Sequence, residues 1–304
     1  MSVIIPAWRA ARTLGPSVAS ALSQIGVSLE VVIVDDASTD GTYDAALDLA
    51  RADARVRVFR NAANGGPGRA RNTALEHARG RWIAVLDADD RITPSRSADM
   101  IGMAVENRSD VVLGNLCEVD EDGRSRGDPF VSEPAIAGPL GVDAFVRGNL
   151  DATGPHTLGY LKPLFRKSFL DAHDIRYDPR LRNGEDYHFV MDCYAAGAKV
   201  WFSPDPAYLY TRRSGSISHK ADPEHLKALL HADTALAKRP GHPDSLKPLL
   251  QRRQRETANF LVVETAMQAL KLHRFDTAIG ALMRRPAAIG RFSAKLAEAL
   301  RKRL

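Results

Sequence analysis

From Ser2 to Leu86 the chain alternates short apolar runs with helical windows, and that alternation leaves few folds open. Ser2 to Pro6, Leu29 to Val34, Val56 to Phe59 and Trp82 to Leu86 read as buried strands rich in β-branched residues. Thr13 to Gln24, Tyr43 to Ala52 and Arg69 to Ala78 read as the helices between them, with Thr39 or Asp40 available to cap the second. A βαβαβαβ order predicts an α/β fold, a parallel sheet covered by helices on both faces. Pro6-Ala7-Trp8, Asp35-Asp36, Asn64-Gly65-Gly66 and Asp87-Ala88-Asp89 all follow strands. A parallel sheet therefore gathers them at one edge, where open α/β sheets hold their ligands.

The carboxylates at the end of the fourth run carry the most chemistry. Asp87-Ala88-Asp89-Asp90 offers hard oxygen donors, which Mg²⁺ and Mn²⁺ prefer and often share with the phosphates of a substrate. A solvated turn is the plain alternative, since Asp favours turns. The glycines of Asn64 to Gly68 lack both the GxGxxG spacing and the Lys-Ser/Thr ending of a phosphate-binding loop, so they carry little alone.

Beyond Pro94 a helix is expected to about Asn107, a strand over Asp110 to Asn115, and a surface excursion rich in Gly, Pro and charge from Asp120 to Pro139. Leu158 to His173 reads as a strand or turn passing into a helix, Asp186 to Ala196 as a helix, and Lys199 to Phe202 as a short strand. From Pro223 onward the pattern is helical, with breaks expected at Pro240, Pro243, Pro248 and Pro286. No internal repeat stands out.

With 304 residues, 44% of them hydrophobic, the chain can bury a full core. Cys117 and Cys193 are too few for a disulfide framework and suit a reducing compartment. A strand entered at once and no long apolar run together predict a cytoplasmic protein without a membrane span. Charge is unevenly spread: residues 222–304 hold 16 Lys and Arg against 8 Asp and Glu, a net +8, whereas the rest is −3.

At this point four ordered segments, SVIIPAW, VVIVDDASTDGT, NGGPGRARN and VLDADD, resemble the nucleotide-sugar half of a family 2 glycosyltransferase with the GT-A fold. The resemblance spans about residues 2 to 220. It implies a mostly parallel sheet covered by helices on both faces, with a helical C-terminal extension. It also implies inverting, Mn²⁺- or Mg²⁺-dependent transfer of a sugar from a nucleotide-diphosphate donor, usually a UDP-sugar. The corresponding division is a glycosyltransferase domain over 1–221, with a nucleotide-binding part to 115 and an acceptor-binding part from 116, then a basic helical extension over 222–304.

The resemblance also assigns roles. Pro6, Ala7 and Trp8 would border the base, Trp8 standing where the family usually has Tyr, to stack on the base or else to pack over the sheet edge, and Arg9 where Asn is frequent. Asp36 would accept the imide N–H of uracil, or else satisfy nearby backbone N–H groups. Arg69 and Arg71 would sit at a helix start near the nucleotide, although two positions apart they do not share a face. Asn72 would cap or tie loops. Asp87 and Ala88 would lie near the ribose and Asp89 on the metal, with Asp90 capping the segment that leads to Pro94.

In Asn183-Gly184-Glu185-Asp186-Tyr187 the match to the Glu-Asp motif marks Asp186 as the general base, with Glu185 orienting the acceptor or supporting the loop; anions at a helix start are the structural alternative. Tyr208 to His219 resembles the closing stretch of the family, in which Arg212 or Arg213 would hold the departing diphosphate and His219 would complete the metal shell. Lys162 and Arg166 are expected only to cover a helix.

Beyond residue 221 the resemblance stops. Ile289, Phe292, Leu296 and Leu300 recur at helical spacing among Arg291, Lys295, Arg301, Lys302 and Arg303. Such a helix fits an anionic inner-membrane surface, or packs its apolar face on the catalytic domain. The expected partners are a nucleotide-sugar donor and a glycan or lipid-linked glycan acceptor, with no nucleic acid. Two rivals remain: a sugar-phosphate nucleotidyltransferase, although its Gly-rich, Arg-containing loop is missing after the first strand, and a basic scaffold without activity.

Overall fold

A computed structural model describes residues 1–132, 138–150, 157–212, 222–240 and 242–301. The chain divides into two compact units: Met1–Gly148 with Thr153–Ser214, and Asn149–Ala152 with Gly215–Leu304.

The first unit is built on one sheet, with nine strands among the described residues. Strands β1 (Ser2–Ala7), β2 (Glu30–Asp35), β3 (Val56–Arg60) and β4 (Trp82–Val85) run parallel in the order β3-β2-β1-β4. Helices α1 (Leu14–Leu22), α2 (Thr42–Ala52) and α3 (Pro67–His77) connect them. Because β2 and β3 lie on one side of β1 and β4 on the other, the strand order reverses between β1 and β4, and crevices form at such switch points.

Side chains along these strands alternate between two covered faces. Val3, Ile5, Val31, Ile33, Ala84 and Leu86 join one apolar cluster that includes Leu14, Val18 and Ala21 of α1. Ile4, Val32, Val34, Ile83 and Val85 between them are equally buried, and α3 packs against β1 and β2. Each such Val or Ile contributes about 1.5–3 kcal/mol by leaving water.

The sheet then continues with mixed directions. The short β5 (Arg91–Ile92) precedes α4 (Arg96–Glu106) and β6 (Val111–Val119). After them come β7 (Gly138–Pro139), α5 (Val142–Arg147), a 3₁₀ turn at Leu158–Tyr160, β8 (Lys162–Arg166) and α6 (Lys167–Ala172). Helix α7 (Glu185–Ala195) and β9 (Val200–Thr211) complete the unit. Strand β8 lies antiparallel between β4 and β6, β6 pairs parallel with β9, and β5 and β7 pair antiparallel with β9.

The strand expected over Lys199 to Phe202 is thus the start of a twelve-residue β9 that also takes in Tyr208 to Thr211. The register of β9 against β6 shifts between Gly114 and Leu116, which absorbs Pro204, Asp205 and Pro206. Asn115 fills the irregularity: its Nδ2 donates to the carbonyls of Val131 and Pro204, and its Oδ1 accepts from the N–H groups of Leu116 and Val131.

In the second unit the described residues form α8 (Pro223–Lys238), α9 (Leu246–Lys271), α10 (Phe275–Arg284) and α11 (Ile289–Arg301), with a 3₁₀ turn at Pro286–Ala288. The side chain of Asp222 caps α8 by accepting from the N–H of Glu224. Pro248, an expected break, sits in the first turn of α9, where its missing N–H has no intrahelical partner to lose. Helix α9 is the spine: buried Asp233 of α8 accepts from Arg253 and Thr257, and α10 and α11 pack on it.

Phe292, Leu296 and Ala299 of α11 pack with Val263 and Met267 of α9, and Lys295 pairs with Glu264. The apolar face of the last helix is therefore turned onto α9 of its own unit. No helix among the described residues is long and apolar enough to cross a membrane.

Candidate active site

Strand ends bring the predicted motifs to the switch point. Strand β1 ends at Ala7, whose carbonyl accepts from the N–H of Asp36, and Trp8 follows, 42% exposed, with the Arg9 guanidinium 4.9 Å from its ring centre. Asp35 is buried; it accepts from the N–H of Ser38 and pairs with Arg60 at 3.1 Å.

The carboxylate of Asp36 accepts from Asn61 Nδ2 at 2.7 Å and from the backbone N–H groups of Gly65 and Gly66, at 3.0 and 2.7 Å for Oδ2. Asp36 thereby shapes the glycine loop, the second of the two roles considered for it. Gly66 is required there: its φ is +85°, and a Cβ would stand 2.3 Å from Nη1 of Arg182, which donates to Asn64.

Helix α3 separates its two arginines as its periodicity demands. Arg69 is exposed and folds over Gly65, whereas Arg71 is 3% exposed and points to the end of β4. The Arg71 guanidinium donates to Glu185 at 2.7 Å and to Asp87 at 2.9 Å, and lies 3.2 Å from Asp186 and 5.3 Å from the centre of the Tyr177 ring. Arg71 is thus ringed by carboxylates. Asn72 ties loops, exchanging two hydrogen bonds with the backbone of Tyr177.

Lys162 is the residue that sequence reasoning missed. Expected on the surface of a helix, it is buried on β8, with Nζ 2.7 Å from Asp87 and 3.7 Å from Asp186. Burial opposes its charge, yet Asp87 and Asp186 raise its pKa far above the usual lysine range. Burial likewise opposes ionisation of Asp87, but Lys162 and Arg71 prevail and hold that carboxyl well below the usual range. A lysine in an apolar strand is the one signal that could have marked it, because an unpaired buried ammonium is too costly to keep.

Behind it stands Arg96, 1% exposed, which donates to the carbonyl of Lys162; burial pulls its guanidinium down to about 10. Arg166, by contrast, pairs with Asp110.

Asp90 also departs from expectation. Its carboxylate accepts from Tyr208 Oη at 2.7 Å and from the N–H of Thr211 at 2.8 Å, and burial, then Asp89 and Asp87, push its pKa well above the usual range. It fastens β9 to the turn after β4 and does not cap the segment toward Pro94. Ala88 is buried and Asp89 half-buried beside it.

Glu185 and Asp186 open α7 after Gly184, whose φ of +78° turns the chain. Burial raises the Glu185 carboxyl, Arg71 pulls it back, and Asp186 adds to the rise. Asp186 Oδ1 is buried and accepts no hydrogen bond.

Among the described residues no three His, Cys, Asp or Glu side chains gather into a metal cage. Mg²⁺ and Mn²⁺ are often held by one or two carboxylates together with substrate phosphates, and Asp89, a hard oxygen donor at the crevice, fits that mode. Arg212 pairs with Glu118 at 2.9 Å on the surface, an exchangeable contact. Arg213 and His219 lie outside the described residues.

The comparisons with known proteins agree with this geometry. Residues 2–167 match the family model described as glycosyl transferase family 2. The chain is 37% identical to the succinoglycan biosynthesis protein ExoO of Rhizobium meliloti, over 99% of this chain and 86% of the relative. Its fold resembles that of S. aureus TarS 1-349 in complex with UDP-GlcNAc, with TM-score 0.65, 21% identity and coverage of 94% and 91%. It also resembles the mannosyltransferase PcManGT from Pyrobaculum calidifontis in complex with GDP-Man and Mn²⁺, with TM-score 0.60, 20% identity and coverage of 98% and 80%. A βαβαβαβ sheet whose strand ends assemble these carboxylates, matched over more than half its length by the family model, makes the chain a glycosyltransferase of family 2.

Proposed function

We propose that this glycosyltransferase moves a sugar from a nucleoside-diphosphate donor, a UDP-sugar, to a hydroxyl of a growing cell-surface glycan, with inversion at the anomeric carbon. The observation that carries the reading is the placing of Asp186 at the head of α7 beside the end of β4, its Oδ1 3.2 Å from Arg71 and its Oδ2 3.7 Å from Lys162. A carboxylate fixed in this position is suited to take a proton from an acceptor hydroxyl.

In the proposed step, Asp186 removes the hydroxyl proton as the acceptor oxygen bonds to the anomeric carbon. The bond from that carbon to the diphosphate breaks, and its electron pair leaves with the diphosphate. Glu185, fixed by Arg71, supports the base. Trp8 borders the donor base, Asp36 reaches it through the Gly65-Gly66 loop, and Arg69 stands at its edge. Asp87 and Ala88 line the ribose side. Asp89 would hold Mn²⁺ or Mg²⁺, which when bound neutralises charge on the departing diphosphate. Arg212 can exchange Glu118 for that diphosphate, and Arg213 and His219 keep their proposed roles in phosphate and metal binding.

The relative named for succinoglycan biosynthesis supports a polysaccharide acceptor, and the neighbour bound to UDP-GlcNAc supports a UDP donor. Both cysteines are free, which suits the cytoplasm. A panel of nucleotide sugars, titrated with and without Mn²⁺ and followed by product analysis, tests the reading. Release of UDP is expected. Pyrophosphate as product would mean nucleotidyl transfer, and failure to bind any donor would leave only a scaffold.

A further inference from the structure

Helix α10 has two apolar faces, and among the described residues only one of them is covered. Ala278 and Leu282 pack with Ala266, Ala269 and Leu270 of α9. Phe275, Ile279 and Met283, spaced four apart and hence on one face, point outward, Met283 being 74% exposed. Nine large apolar side chains are exposed among the described residues, and five of them, Leu272, Phe275, Ile279, Met283 and Ile289, fall within 272–289. A concentration of this kind marks an interaction surface.

The charges beside it select the partner. Lys271 and Arg274 are exposed at the start of α10 and Arg284 at its end, while Arg285 is turned inward to Asn259. Asp276 is the one acid between Lys271 and Arg291. A second copy meeting this face through a two-fold axis would set the same cations against each other. An anionic bilayer attracts them and takes the apolar side chains between its headgroups, while the long cationic stems reach the phosphates. Ten residues of helix, rising about 1.5 Å each, are too short to span a hydrocarbon layer of about 30 Å, so α10 would lie in the plane of the surface.

We propose that the outer face of α10, centred on Phe275, Ile279 and Met283, docks this protein on an anionic phospholipid surface. Sedimentation of the full chain with vesicles tests it and does not depend on donor or metal use. The protein is expected to bind vesicles of phosphatidylcholine with phosphatidylglycerol, and not phosphatidylcholine alone. Met283→Glu and Ile279→Glu, each with unchanged circular dichroism, should lower partitioning at least about tenfold, and Met283→Leu should retain it. Arg274→Glu with Arg284→Glu, which spares the apolar face, should also weaken binding, and added salt should do the same. Equal binding to both vesicle types, no binding by wild type, or glutamate variants that bind as wild type would overturn the proposal. So would a dimer in solution that Met283→Glu splits, because a second copy would then own the face.

Discussion

Lys162 on β8 reaches Asp87 at the end of β4 across 2.7 Å, although the two are 75 positions apart. Lys162 is buried and Asp87 half-buried, and Arg71 binds the same carboxylate from the other side. Removing one partner of a buried pair leaves an uncompensated charge, at a cost of roughly 3–5 kcal/mol. Lys162→Met should therefore lower the melting temperature sharply, and adding Asp87→Asn should restore part of the loss. A double-mutant cycle in chemical denaturation measures this, and strictly additive effects would show that the two do not act as a unit.

Asp186→Asn should keep donor affinity and lose at least about two decades of transfer rate, the range expected of a general base. Glu185→Gln should lose less, since a neutral amide oxygen still accepts from Arg71. An active Asp186→Asn beside an inactive Glu185→Gln would move the base to Glu185. The readouts are single-turnover rate and donor titration.

For the metal, Asp89→Asn is expected to abolish transfer and to weaken UDP binding only when Mn²⁺ or Mg²⁺ is present. Calorimetric titration of UDP with and without Mn²⁺ separates the two conditions. Undiminished turnover of wild type in EDTA would rule this assignment out.

Glu30 knits three segments: it accepts from Ser2 on β1, Arg57 on β3 and the N–H of Arg79. Partial burial opposes its ionisation, but these donors hold its carboxyl below the usual glutamate range. A folded-state pKa below the unfolded one gives stability that is present above the unfolded value, about 4.3, and is lost as pH falls through the folded one. Melting curves of wild type and Glu30→Gln should therefore differ at neutral pH and converge in acid. Curves separated by a constant interval from pH 7 to 3 would contradict the linkage.

How much of this could be read from the residues follows from the range of each interaction. The four parallel strands, their connecting helices and the edge where Trp8, Asp36 and Asp87 emerge were legible, because period and turn residues are local signals. Helical spacing also anticipated that Arg69 and Arg71 diverge. It could not say that Arg71 meets Glu185, 114 positions on. Strand β9 was half hidden because Pro204, Asp205 and Pro206 imitate a turn, and their accommodation depends on Asn115 from another strand. Lys162 and Asp90 were misread for one reason: a charged residue looks exposed until its distant partner is known.

The long separations in the carboxylate cluster have a consequence for the order in which the protein folds. Arg71, Asp87, Lys162 and Glu185 can meet only after β8 has inserted between β4 and β6, so long loops must close first. Helices α8 to α11 pack on their near neighbours in sequence and have no such delay. During refolding from denaturant, helical circular dichroism should recover before the ability to bind donor. If so, a newly made chain stays inactive until nearly all of the first unit is in place, and donor binding becomes a report on its last folding step.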